Sequence, residues 1–354
     1  MVKLLRSSRR YTLRELGAAH AQQWDQFMQT HPYGHFLQSW GWGELKASFG
    51  WTPLRLALYA EEKEQIVAAA QVLCRTAPHL PLRAGHLAYI PKGPVIDWPQ
   101  PLLCKPFFDQ LHAYLYKQGA LALRIEPGQT LHIANDGDMG PCLASTFLQP
   151  VPAIQPVRTI VLNLSLDETT LLARMKEKWR YNVRLAERKG VTVRAAQTAE
   201  DVQAWYALMQ TTSERDHFGV HTLGYYLQAW RIFVPRRQAC LLLAEYHGQL
   251  LAGIFVGLFA RQGIYLYGAS GNEQRNLMPN YLLQWEAIRW AKREGATEYD
   301  LWGIPPTDNE DEAMAGVYRF KRGWGGEVVR FVGCYEHVYR RRRMKLARKY
   351  LPSS

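Results

Sequence analysis

The chain repeats itself once, and that repeat limits the fold more than any other feature. In the first half QIVAAAQVL (Gln65–Leu73) is followed by GHLAYIPKGPV (Gly85–Val95), then FFDQLHAYLYKQG, then ALALRIEP ending at Pro127. In the second half QLLAGIFVGLF (Gln249–Phe259) is followed by GIYLYGASGN (Gly263–Asn272), then YLLQWEAIRWAKREG, then ATEYDLWGIPP. Each half reads strand, strand, amphipathic helix, glycine, strand, proline. The helix-ending glycines Gly119 and Gly295 lie 176 residues apart, and the opening glutamines Gln65 and Gln249 lie 184 apart. An offset so long and so nearly constant is no solenoid period and predicts two copies of one domain. Apolar residues at i, i+3 and i+4 in LLQWEAIRWA mark a core-facing stripe. Each glycine suits the position just past a helix end, where left-handed backbone is wanted. Strands bracketing a helix in each copy predict mixed α/β units.

The boundary falls in LQPVPAIQPVRTIVLNLSLD, where three prolines within Pro150–Pro156 break regular structure before a strand begins near Val157. The first domain is therefore placed at residues 1–156 and the second at 157–330. After that strand, SLDETTLLARMKEKWRYNVRLAERKG reads as one long basic helix, with Ser165 as its N-cap and Asp167 and Glu168 near its first turn. It carries Arg174, Lys176, Lys178, Arg180, Arg184, Arg188 and Lys189 among few acids. A solvated charged helix is the bland reading; sparse acids favour a phosphate-facing one.

The composition, 47% hydrophobic and 21% charged, is that of a folded globular chain and excludes a disordered one. A net charge of +12 makes a polyanion or an anionic surface a fitting partner. The five cysteines, Cys74, Cys104, Cys142, Cys240 and Cys334, are scattered without a C-x-x-C pair, which predicts free thiols in a reducing cytoplasm. The basic start MVKLLRSSRRYTLREL lacks the apolar core of a secretion signal, and no run of about 18 apolar residues occurs. The expected location is cytoplasmic, free or peripheral at the inner face of the plasma membrane.

A duplicated strand–strand–helix–strand unit suggests tandem acetyltransferase-like (GNAT) domains. An acyl-CoA enzyme of that kind needs glycines and free N–H groups at a helix N-terminus to cradle the pyrophosphate. The matching turn here, NEQRNLMPNYLLQ, offers Leu277, Met278 and Pro279 instead, and Pro279 has no N–H to give. In the first half IDWPQPLLCKPFF carries three prolines. The scaffold is expected to use a different donor.

Four segments then carry a resemblance: FLQSWGWGELKASFGW (Phe36–Trp51), KWRYNVRLAERKGV (Lys178–Val191), YLYGASGNEQRNLMPNYLLQWEAI (Tyr265–Ile288) and GVYRFKRGWGG (Gly316–Gly326). In this order they resemble the FemABX family of peptidoglycan-bridge aminoacyltransferases, in its compact branch without a coiled-coil arm. The resemblance implies two tandem acetyltransferase-like domains, with the chain's end, 331–354, packing back on the first. It also implies transfer of an amino acid from aminoacyl-tRNA to the stem-peptide amine of a peptidoglycan precursor, nucleotide-linked or lipid-linked. No metal or organic cofactor is implied, because the ester itself carries the activation.

The resemblance assigns roles residue by residue. Lys46 is matched to a ligand of the precursor's phosphates, as a point charge. Tyr225 and Tyr267 are matched to the acceptor site. His221 falls where compact relatives carry an arginine, so one hydrogen bond replaces a bidentate fork. Arg215 either compensates or pairs with Asp216. Tyr89 is also placed among the acceptor-binding residues; with Lys92 and Asp97 it lies on a loop expected to line the first domain's cleft, or the three simply form a turn set by Pro91, Gly93 and Pro94. Tyr265 and Tyr267 alternate on a strand and are expected to share one face.

GVYRFKRGWGG sets Arg319, Lys321 and Arg322 among aromatics and glycines, either as a solvated basic hairpin or as an anion site. The resemblance assigns Lys321 to the transfer step, where a fixed cation opposes a tetrahedral oxyanion. Arg319 and Arg322 are expected to hold tRNA phosphates, Phe320 and Trp324 to stack on its single-stranded end, and the glycines to admit close approach. No Ser/His/Asp or Cys/His arrangement suggests an acyl-enzyme, so direct transfer is the simpler course. The basic tail Arg340–Lys349 suits tRNA, anionic lipid or mere solubility. The competing reading is an acyl-CoA-dependent N-acyltransferase of the same fold, acting on a small molecule or exopolysaccharide. A further rival is a nucleic-acid-binding protein without chemistry.

Overall fold

The computed structural model describes residues 11–76, 85–131, 146, 148–309 and 314–347. The chain divides into two compact units, 1–155 with 331–354, and 156–330.

The first unit holds a mixed sheet in the order Tyr11–Glu15, Thr52–Ala60, Gln65–Thr76, His86–Pro91, Ala120–Glu126, Cys334–Val338, Gln149–Val151, with Val95–Ile96 paired to Gln65–Thr76. The second orders Glu327–Arg330, Arg158–Asn163, Glu298–Asp300, Gln262–Ser270, Gln249–Phe259, Ala239–Tyr246, Thr192–Ala195. In each sheet the repeated strands run antiparallel until one parallel pair: His86–Pro91 beside Ala120–Glu126, and Gln262–Ser270 beside Glu298–Asp300. Parallel neighbours need a crossover, and each pair has its helix between, Pro101–Lys117 or Pro279–Arg293. Gly119 and Gly295 just past those helices stand at φ +87° and +89°, the left-handed conformation a side chain resists.

The strands are nearly continuous apolar runs because helices cover them. Leu56, Val72, Ile90, Phe107, Phe108, Leu111 and Leu123 close one core. Ile160, Leu242, Ile254, Leu282, Trp285, Ile288, Tyr299 and Trp324 close the other. Among the described residues no helix is long and apolar enough to cross a membrane. Cys74, Cys240 and Cys334 are buried free thiols, but Cys104 is disulfide-bonded, against the expectation of free thiols throughout. Cys142 lies outside the described residues.

The basic segment is not one helix. It breaks into Glu168–Arg174 and Glu177–Arg188, and the first is capped by Asp167, whose carboxylate accepts from the Thr170 N–H at 2.8 Å, rather than by Ser165. Met175 is extended, with ψ 152°. The Lys176 N–H leaves the helical ladder to donate to the Gly323 carbonyl at 2.9 Å. Arg180 folds back and donates to the carbonyls of Leu172, Ala173 and Met175, satisfying acceptors that a helix end leaves orphaned.

Candidate active site

GVYRFKRGWGG is not a hairpin. Ala315–Arg322 is a helix, and its last turn carries Arg319, Lys321 and Arg322, at the end where the backbone dipole favours cations. Helical spacing turns Tyr318 and Lys321 inward and leaves Arg319 and Arg322 at the surface. Lys321 is only 7% exposed. Its ammonium donates to the carbonyls of Gly303 at 2.7 Å and Trp302 at 3.3 Å, and it lies 5.4 Å from the Tyr265 ring centroid. Burial lowers its pKa to about 8, partly opposed by the charge of nearby Asp300. Asp300 itself accepts from the Thr159 hydroxyl and from the Trp302 N–H at 2.7 Å. That bond helps hold Trp302 at φ +61° and so aims the two carbonyls at Lys321. An ammonium has three N–H groups, and two are engaged here.

The neighbours differ from their expected roles. Trp324 is fully buried in the second unit's core, so it offers no face to a nucleic acid. Phe320 is half-buried against Tyr281 and Trp324, at ring distances of 5.4 and 5.8 Å. Its carbonyl accepts from the Trp179 indole at 2.9 Å. The glycines do admit close approach, but by the protein itself. A Cβ on Gly323 would lie 2.0 Å from the Trp179 ring, and one on Gly325 would lie 2.3 Å from the Arg174 carbonyl. Arg322 donates to the Tyr318 hydroxyl at 2.6 Å.

Tyr225, Tyr267 and His221 do come together. The Tyr225 and Tyr267 hydroxyls lie 3.2 Å apart. The exposed His221 ring stacks on Tyr225 with centroids 3.8 Å apart and planes inclined by 22°. Tyr226, Trp205 and Phe255 back this cluster edge to face. Burial raises the pKa of Tyr267 to about 12 and that of Tyr225 well above its ordinary value, so both stay neutral donors.

Tyr265 does not share their face. The ladder pairs Phe255 with Tyr267 but Val256 with Tyr265, which leaves Leu266 as an extra, bulged residue. The bulge turns Tyr265 to the side of Lys321 while Tyr267 points to Tyr225. Arg215 is locked in place, donating to the Ser270 carbonyl at 3.1 Å and Asn272 Oδ1 at 2.9 Å and pairing with Asp216 at 2.9 Å. It does not supply the missing fork.

In the first unit Lys46 lies in the last turn of the Trp40–Ala47 helix, its ammonium 4.7 Å from the Trp42 ring centroid. Burial first, then the charge of Arg75, lower its pKa to about 8. Tyr89 is 5% exposed, and its hydroxyl donates to Glu126 and accepts from Gln155 Nε2 at 3.1 Å. Glu126 also accepts from the Ile154 and Gln155 N–H groups, so Tyr89 secures that segment rather than fronting a cleft. Lys92 is buried with its ammonium over the Phe331 ring, whereas Asp97 lines a separate cavity of about 460 Å³ with His31, Glu62 and Lys63. Asp300 and the Trp302–Gly303 carbonyls escaped the sequence reading. Their signal was an acid ending the strand in YDLWGIPP, just before a proline pair.

Two mixed sheets, each with one parallel pair and a crossover helix, define a tandem acetyltransferase-like protein. A tandem GNAT protein from the clavulanic acid pathway shares the fold with TM-score 0.52 at 12% identity, covering 93% of this chain and 98% of its own. The chain belongs to the FemAB family, whose model matches residues 19–140, 148–250 and 244–349. Lipid II:glycine glycyltransferase of Staphylococcus saprophyticus is 26% identical, across 90% of this chain and 91% of its own. The enzyme of that name from Staphylococcus aureus USA300 is 24% identical over the same shares. A crystal structure of FemX superposes with TM-score 0.85 at 22% identity, covering 95% of this chain and 99% of its own.

Proposed function

We propose that this protein is an aminoacyltransferase that moves an amino acid from aminoacyl-tRNA to the stem-peptide amine of a peptidoglycan precursor, forming a cross-bridge. The observation that carries the reading is the buried Lys321 ammonium, held by two backbone carbonyls with one N–H remaining. The relatives named as lipid II:glycine glycyltransferases supply the acceptor class.

In this reading the acceptor amine attacks the ester carbonyl and a C–N bond forms. The remaining N–H of Lys321 stabilises the tetrahedral oxyanion. The C–O bond to the terminal ribose then breaks, and the departing ribose oxygen takes the proton the amine loses. No acyl-enzyme is needed. Tyr225, Tyr267 and His221 serve the acceptor, and Lys321 with exposed Arg319 and Arg322 serves the donor. Lys46 serves the precursor's phosphates. The protein works at the cytoplasmic face, free or peripheral at the membrane.

The test is incorporation of radiolabel from charged tRNA into nucleotide-linked or lipid-linked precursor. The reading expects transfer that ribonuclease pretreatment of the charged tRNA abolishes. Transfer that persists after that treatment would remove tRNA from the mechanism.

A further inference from the structure

The first unit carries a second cation beside Lys46 that has no role so far. The Lys46 carbonyl accepts from the Phe49 N–H at 3.0 Å and the Trp51 N–H at 3.2 Å, so the turn after the helix brings Trp51 back to its last turn. Trp51 directly precedes the Thr52–Ala60 strand, whose register pairs Thr52 with Cys74. One step further along the antiparallel ladder, Trp51 stands opposite Arg75. The contacts agree, with the Arg75 guanidinium 5.2 Å from the Trp51 ring centroid. Trp51 in turn lies 6.4 Å from Tyr89.

Two half-buried cations therefore lie near one end of the sheet, Lys46 against the Trp42 ring and Arg75 against the Trp51 ring. They are close enough that the charge of Arg75 disfavours that of Lys46. A fold that holds like charges together gains most from an anion placed between them. The two side chains differ usefully: an ammonium is a compact point charge, while a guanidinium offers a fork matching two phosphate oxygens. Its place over the Trp51 ring restricts the guanidinium before any anion binds.

We propose that Lys46 and Arg75 form one anion site, and that Arg75 is an acceptor-binding residue which grips the precursor's pyrophosphate with its guanidinium fork. The inference rests on the acceptor assigned under Proposed function. The same pyrophosphate occurs in nucleotide-linked and lipid-linked precursors, so the experiment carries both.

Equilibrium binding of the full chain is measured against nucleotide-linked pentapeptide, and against lipid-linked precursor in detergent micelles. Wild type, Arg75→Gln and Arg75→Lys are compared, with thermal melting of each. The expected result is binding to one source or both, weakened about tenfold to a hundredfold in Arg75→Gln, as for loss of a charged hydrogen-bonded pair. Arg75→Lys is expected to lie between, because it keeps the charge and loses the fork. In transfer assays the acceptor KM rises while kcat and the donor KM hold. Should Arg75→Gln fail to fold, Arg75→Lys decides alone, and acceptor affinity within about twofold of wild type overturns the proposal. A folded Arg75→Gln that binds the precursor like wild type overturns it too and leaves the acceptor reading standing. A wild-type protein that binds neither precursor overturns both together.

Discussion

Replacing Lys321 with methionine separates the chemical role proposed for it from its structural one. Methionine keeps much of the side chain's length and volume but carries no charge and no N–H. Burial at this site lowers the ammonium's pKa from 10.5 to about 8. That shift costs the fold about 3 kcal/mol at neutral pH. The sign follows from the proton count: between about pH 8 and 10.5 the unfolded chain binds the extra proton, so stability rises with pH there. Methionine removes this penalty but leaves the Trp302 and Gly303 carbonyls without their donor, a loss of about 1–3 kcal/mol each. The two effects partly offset, so the net change is expected to lie between a gain of about 1 kcal/mol and a loss of about 3 kcal/mol. The rate has no such compensation. Losing one oxyanion donor costs about 3–4 kcal/mol, a fall of about a hundredfold to a thousandfold in kcat. Single-turnover transfer from pre-charged tRNA, beside urea unfolding of the same preparations, reads both quantities. A Lys321→Met protein with wild-type single-turnover rate and unchanged stability refutes the assignment. A further check comes from pH. An ammonium acting as a cation is lost as pH rises through about 8, so the rate falls there, and Lys321→Arg, which stays charged, loses that high-pH limb. A lysine acting as a base would make the rate climb through the same range.

Trp324→Ala is expected to lose about 3–5 kcal/mol in urea unfolding, because a fully buried indole leaves a cavity, while folded Trp324→Phe keeps tRNA affinity. Gly323→Ala is expected to lose about 1–3 kcal/mol by driving a Cβ into the Trp179 ring, and a double-mutant cycle with Trp179→Leu is expected to recover part of that loss. Fully additive losses would show that Trp179 is not the obstacle. His221→Arg restores a guanidinium fork beside Tyr225 and is expected to lower the acceptor KM about tenfold; an unchanged or raised KM removes His221 from the acceptor site.

Features fixed by local chemistry are legible in the sequence. Gly119 and Gly295 mark helix ends because left-handed backbone there depends on one residue's lack of a Cβ. The mixed α/β class followed from helical and strand periods alternating in both halves. Features fixed by distant partners are not. The basic segment looks like one helix until Lys176 is drawn to Gly323, a residue far along the chain. Strand alternation puts Tyr265 and Tyr267 on one face until the bulge at Leu266 parts them. In GVYRFKRGWGG the charges and glycines suggested a turn. The spacing of Tyr318 and Lys321 at i and i+3 already held the helical alternative that buries both, with Trp324 buried just past the helix end.

The proposed donor is an aminoacyl ester rather than a thioester. The most direct measurement offers the wild-type protein each of the charged tRNAs in turn, and labelled acetyl-CoA in parallel, with nucleotide-linked and lipid-linked pentapeptide as acceptors. The predicted result is label passing from one tRNA species to a precursor, with acetyl-CoA left intact. Acetyl-CoA consumed and no label leaving any tRNA would contradict the account.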